Sequence, residues 1–134
     1  IINRHEAFRA TEVSRALSPG GTFVTQQVDF HSYDDLYGLL GLDVALQAES
    51  WLPFARRQLI DAGLKIQLAV RGEERHQLND VAAVIYYLRL VSWAIPAFSL
   101  DSCMARLRDA HERPGAWPVT LRQRRFLLVA SKLK

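Results

Sequence analysis

The chain has few of the residues that staple, metallate or anchor a small protein. One cysteine in 134 residues excludes an internal disulfide and any cysteine-built zinc site. His5, His31, His76 and His111 are scattered, with no His-x-x-x-His pair, so no metal site is expected. No apolar run is long enough to cross a bilayer; residues 78–96 come nearest, and Asn79, Asp80 and Arg89 interrupt them. No charged-then-apolar leader opens the chain. Neither Gly-x-Gly-x-x-Gly nor Gly-x-Ser-x-Gly occurs, which removes the usual dinucleotide turn and the strained nucleophile elbow. Internal repeats and low-complexity stretches are also missing.

What is present is a core-forming composition. Hydrophobic residues make up 49% of the chain, too many for a disordered tail. The length suits one domain. Seventeen basic residues against fourteen acidic ones leave a net charge of +3. The charges are interspersed, with local concentrations only at Arg56-Arg57 and at Arg122, Arg124 and Arg125. A nucleic-acid footprint needs basic residues gathered on one face, so that reading is weak, and salt-dependent binding to RNA or DNA is its test. The lone Cys103, flanked by Ser102 and Met104 in a helix-patterned stretch, reads as packing rather than as a nucleophile. A single thiol fits a reducing compartment, and a cytoplasmic location is expected.

Strand and helix patterns alternate along the chain. Ile1-Ile2 resembles the end of an apolar strand, and a chain that opens on Ile rather than Met suggests processing or a fragment. Residues 6–17 place Phe8, Val13, Ala16 and Leu17 at helical spacing, and Pro19-Gly20-Gly21 stops that helix. Thr22 to Val28 is β-branched and alternating, as a strand should be. Residues 29–48 read as a loop with a short helical turn. Ser50 caps a helix over 51–62, with Pro53 tolerated in its first turn and Leu52, Phe54, Ala55, Leu59 and Ile60 on its apolar face. Gly63 ends it, and residues 64–70 alternate as a strand. Residues 72–76 read as a charged connection. Asn79 or Asp80 opens a helix over 81–93 that Pro96 stops. Ser99 or Asp101 opens another, which runs to about Arg113. Residues 117–130 then read as a long strand or hairpin arm. The alternation predicts an α/β fold in a single domain.

Two stretches carry a resemblance. Arg15-Ala16-Leu17-Ser18-Pro19-Gly20-Gly21 followed by an apolar strand, and the helix, Ala62-Gly63 and alternating strand that come later, resemble class I S-adenosylmethionine-dependent methyltransferases of the type 11 kind. The segment Asp80 to Arg89, with Trp93, Pro96 and Phe98 after it, looks like an insertion found in bacterial small-molecule methyltransferases. The resemblance implies the second half of a Rossmann-like sheet: the end of strand 4, then strands 5, 6 and 7, with a two-helix insertion between strands 6 and 7. Residues 1–134 would then be one partial domain without its amino-terminal cofactor-binding half. In that family a Gly-rich turn after the first strand and an acid ending the second hold the cofactor, and this sequence has no counterpart of either. Gly20-Gly21 cannot substitute, because it precedes a strand instead of opening a helix.

By the same resemblance Asn3 and Arg4, at the end of strand 4, touch S-adenosylmethionine in the intact enzyme. His5, Glu6, Gln26, Gln27, Tyr86 and Trp93 line the pocket of a small-molecule methyl acceptor. Ligands in open α/β sheets sit beyond the carboxyl ends of the strands, where residues 3–6 and 26–27 fall. Neutral amides at Gln26 and Gln27 can hydrogen-bond an acceptor without adding charge, and one of the two should face the crevice. Tyr86, Tyr87, Trp93 and Phe98 have the makings of an aromatic wall or of core packing. No residue is assigned catalytic chemistry, since methyl transfer needs in-line approach and a dry pocket more than a base. The competing reading is a truncated, non-catalytic binding or oligomerisation module. Cutting the sheet next to Thr22–Val28 would leave that strand a nearly bare edge, so self-association or pairing with the missing half is expected.

Overall fold

The computed structural model describes residues 1–43, 50–96 and 98–134. Their elements run β1 (Ile2–Arg4), α1 (Ala10–Ala16), β2 (Thr22–Val28), α2 (Asp34–Leu40), α3 (Trp51–Asp61), β3 (Leu64–Leu78), α4 (Val81–Leu90), α5 (Leu100–Glu112) and β4 (Val119–Lys132). The four strands form one mixed sheet in the order β1-β2-β4-β3, so the fold is α/β. β1 runs parallel to β2 with Asn3 opposite Thr25, and β4 runs antiparallel to β2 from Thr22↔Ser131 to Val28↔Arg125. The described residues divide into two compact units, 1–30 with 50–73 and 124–134, and 31–43 with 74–96 and 98–123.

In the first unit α1 and α3 cover one face of the sheet. Val13 and Leu17 from the α1 side and Ala55 and Leu59 from α3 close over Phe23, Leu128 and Ala130. Phe8 meets Phe23 edge-on at 5.2 Å. Between α1 and β2 the turn needs glycine twice. Gly20 has φ +74°, and a Cβ on Gly21 would lie 2.8 Å from the Ser18 carbonyl oxygen. The carbonyls at the end of α1 are satisfied from across the sheet, where Lys132 Nζ donates to Ser14 O at 2.7 Å and Leu17 O at 3.1 Å. Ser50 caps α3 by accepting from Leu52 N, and Gly63 ends it at φ +80°.

The second unit buries Leu36 and Leu40 of α2, Val84 and Leu88 of α4, and Cys103 and Leu107 of α5. Cys103 is thus a packing residue at 1% exposure. Asp80 and Ser99 cap α4 and α5 through Ala83 N and Ser102 N. Asp35 in the first turn of α2 accepts from both the backbone and the guanidinium of Arg122.

Four expectations change. The first helix starts at Ala10 rather than Glu6. His5 takes φ +57°, and the Glu6 carbonyl accepts from the Gln27 amide, so it is not available to begin a helical ladder. Residues 72–76 are strand and not connection, because β3 continues to Leu78 with its side chains exposed. The loop expected over 29–48 contains the helix α2; its residues 44–48 lie outside the described set. Nor is β2 a bare edge: β1 pairs along it, with added bonds from Ile1 N to Thr22 O and from His5 N to Gln26 O.

Candidate functional site

The site grows from a polar knot where β1 and β2 end side by side in the first unit. Register puts Asn3 opposite Thr25, which is fully buried. The Asn3 side-chain oxygen accepts from Thr25 Oγ1 at 2.7 Å and from Gln27 Nε2 at 2.6 Å. The same Gln27 nitrogen lies 2.9 Å from the Glu6 carbonyl oxygen and so holds the loop after β1. Buried polar groups demand partners, and this knot supplies them while fixing the Gln27 amide in one orientation. With its nitrogen committed, the chemistry that Gln27 can offer a ligand is that of its carbonyl acceptor.

A second anchor sits one residue past the end of β2. The Asp29 carboxylate, almost wholly buried, accepts from Ser50 Oγ at 2.7 and 2.6 Å, from Trp51 N at 2.9 Å and from Phe30 N at 2.9 Å. Arg71 approaches it at 3.5 Å. An acid at a helix start answers both the unsatisfied N–H groups and the helix dipole. Here it also clamps the first residue of α3, so Trp51 stacks on Phe30 at 4.8 Å and 11° and meets Phe54 edge-on at 5.9 Å.

Between knot and clamp lies an open cleft of about 370 Å³. It is lined by Glu6, Ala7 and Phe8 from the segment after β1, by Gln27 and Val28 from β2, by Trp51, Phe54, Ala55 and Gln58 from α3, and by Phe126 from β4. Of the residues expected in a pocket, Glu6 and Gln27 line this cleft, and Asn3 joins them through the knot. His5 adjoins in the left-handed turn. Arg4 pairs in register with Gln26, and neither lines the cleft. Gln27 is therefore the one of the two amides that reaches it. Tyr86 and Trp93 belong to the second unit, where they are 66% and 71% exposed, and Tyr87 is bonded to Gln123. No group of three or more potential metal ligands occurs among the described residues. No helix among them is long and apolar enough to cross a membrane.

The sequence reading missed Trp51 and the clamp at Asp29, and it assigned Phe54 to the packed face of α3. Phe54 and Ile60 are 51% and 44% exposed, while Ala55 and Leu59 are buried. The available signal was spacing: Trp51 and Phe54 stand three apart and off the stripe set by residues 52, 55 and 59.

No protein-family model and no curated protein matches the sequence. Among solved structures, the chain aligns over 99% of its length with a Bacillus halodurans C-125 protein provisionally assigned as a methyltransferase, at a TM-score of 0.54 and 11% identity. It spans 63% of that protein, less than two thirds. A Haemonchus contortus phosphoethanolamine N-methyltransferase 2, solved with S-adenosyl-L-methionine, aligns over 99% of this chain and 33% of its own at 12% identity, with a TM-score of 0.37 too low to argue from. At such identities the likeness speaks to fold alone: the chain shares the α/β fold of the Bacillus protein over its aligned length.

Proposed function

We propose that this chain is the acceptor-side portion of an S-adenosylmethionine-dependent methyltransferase that acts on a small molecule. The observation that carries this reading is the sheet order, with the antiparallel β4 inserted between β2 and β3 and β1 parallel to β2. In this reading β1 is the end of strand 4, β2 is strand 5, β3 strand 6 and β4 strand 7, with α4 and α5 as the insertion. The aligned fraction of the Bacillus protein is in keeping with a partial domain.

The residues present do not suffice to hold the cofactor. The sequence has no Gly-rich turn behind a strand, and Asn3 commits its carboxamide oxygen to Thr25 and Gln27. Those elements would come from outside this sequence. This chain contributes the acceptor cleft: Gln27 orients a donor group on the acceptor, Glu6 sets the charge, and the rings exclude water.

The test is transfer of a labelled methyl group from S-adenosylmethionine to a panel of small acceptors by the natural protein that carries this sequence. Glu6→Gln should cut turnover while leaving the melting temperature unchanged, since Glu6 is exposed. No incorporation into any small acceptor refutes the reading. One observation favours the alternative, a non-catalytic oligomerisation module: Ile1 and Ile2 lie 50% and 86% exposed on the edge strand.

A further inference from the structure

The cleft carries a sharper assignment than a generic small-molecule site. Among the described residues, four rings, those of Phe8, Trp51, Phe54 and Phe126, contribute to its lining, and Glu6 is the one charged lining residue. Trp51 and Phe54 are held half-exposed by the stack on Phe30 and by each other, rather than folded into the core. Ring faces carry negative potential and attract cations, most strongly when the cation's own substituents are apolar and weakly hydrated. A carboxylate beside such rings adds long-range attraction and repels anions. A neutral ligand would use the rings and leave the carboxylate unanswered. A small, strongly hydrated ammonium would use the carboxylate and leave the rings unfilled. The ligand that answers both is an onium group clothed in alkyl carbons.

We propose that this cleft binds an alkylated ammonium group. The proposal deepens the acceptor-site reading and rests on it for the expectation of a small ligand here. The volume of about 370 Å³ accommodates a trimethylammonium head with a short tail, and the Gln27 carbonyl suits a hydroxyl or N–H on that tail. Because the cleft is open and its carboxylate is exposed, weak binding in the millimolar range is expected.

The test titrates the natural protein that carries this sequence with choline and with 3,3-dimethyl-1-butanol, its neutral isostere, following backbone amide shifts by NMR. Choline should saturate with shifts confined to residues around 6–8, 27–28 and 51–58, and the isostere should bind at least about tenfold more weakly. Glu6→Gln should weaken choline several-fold and leave the isostere unchanged. Phe54→Leu, at an exposed position that spares the fold, should weaken choline as well. Equal binding of the two ligands overturns the ammonium assignment, as does a choline response outside the cleft, no response, or no effect of either substitution. Methyl transfer is scored separately, so choline binding without transfer to any small acceptor sinks the acceptor reading and keeps the ammonium site.

Discussion

Replacing Asp29 with Ala should be among the most damaging polar substitutions in the first unit. The carboxylate accepts from three separate donors, Phe30 N, Trp51 N and Ser50 Oγ, at 2.6–2.9 Å. Each loses a charged acceptor in the variant, and a donor stranded in a largely buried place costs about 1 kcal/mol or more. The sum is about 3 kcal/mol, a large share of the roughly 5–15 kcal/mol that holds a domain together. For a chain of this size that is a fall of about 10 °C in melting temperature. Arg71 adds little, because it is half exposed and 3.5 Å away. Differential scanning calorimetry on wild type, Asp29→Ala, Asp29→Asn and Arg71→Ala gives the measurement. Asp29→Asn keeps one acceptor oxygen and should fall between wild type and Asp29→Ala, and Arg71→Ala should stay within about 1 kcal/mol of wild type. A shift under about 3 °C for Asp29→Ala would mean that water replaces the carboxylate without loss, and that Asp29 does not fix Trp51.

Lys132→Met removes both bonds to the carbonyls at the end of α1 and should cost about 1–2 kcal/mol by urea unfolding. Gly21→Ala should cost more than about 1 kcal/mol, while Gly72→Ala, where a Cβ meets nothing, should be neutral or slightly stabilising. Calorimetry on this chain alone should show no saturable binding of S-adenosylmethionine at micromolar concentration. Sedimentation should show concentration-dependent self-association, which Ile2→Lys reduces by placing a charge on the edge strand; a compact monomer at high concentration would remove that expectation.

Local chemistry made much of the fold legible. β2 stands at the expected residues because its alternation, the Pro-Gly-Gly stop before it and the polar residue after it agree. Ser50 announced its helix because capping is read from the residue itself, and of the pairs Asn79 or Asp80 and Ser99 or Asp101 the caps are Asp80 and Ser99. Where composition and ladder disagreed, the ladder prevailed: Gly72 to His76 look like loop, yet β3 keeps them extended with both faces exposed. Half of the site was visible as Glu6 and Gln27, polar residues at strand ends. The other half was hidden, because the tie between Asp29 and Ser50 spans twenty-one positions and depends on which strand end meets which helix start. An exposed Trp51 looks in sequence like any other aromatic residue on an amphipathic helix.

The full-length pairing of β2 with β4 also has a consequence for the nascent chain. Thr22 meets Ser131 and Phe23 meets Ala130, about a hundred residues later. At ribosomal rates of roughly 5–20 residues per second, β2 waits some 5–20 s for its partner. Through that interval Phe23 has neither Leu128 nor Ala130 to pack against, and the open strand is exposed to chaperones or to other chains. Yield during synthesis should therefore respond to trigger-type holdases more strongly than the stability of the finished protein would suggest. Removing residues 124–134 would take from the first unit the stretch of β4 that pairs with β2, and not merely a tail.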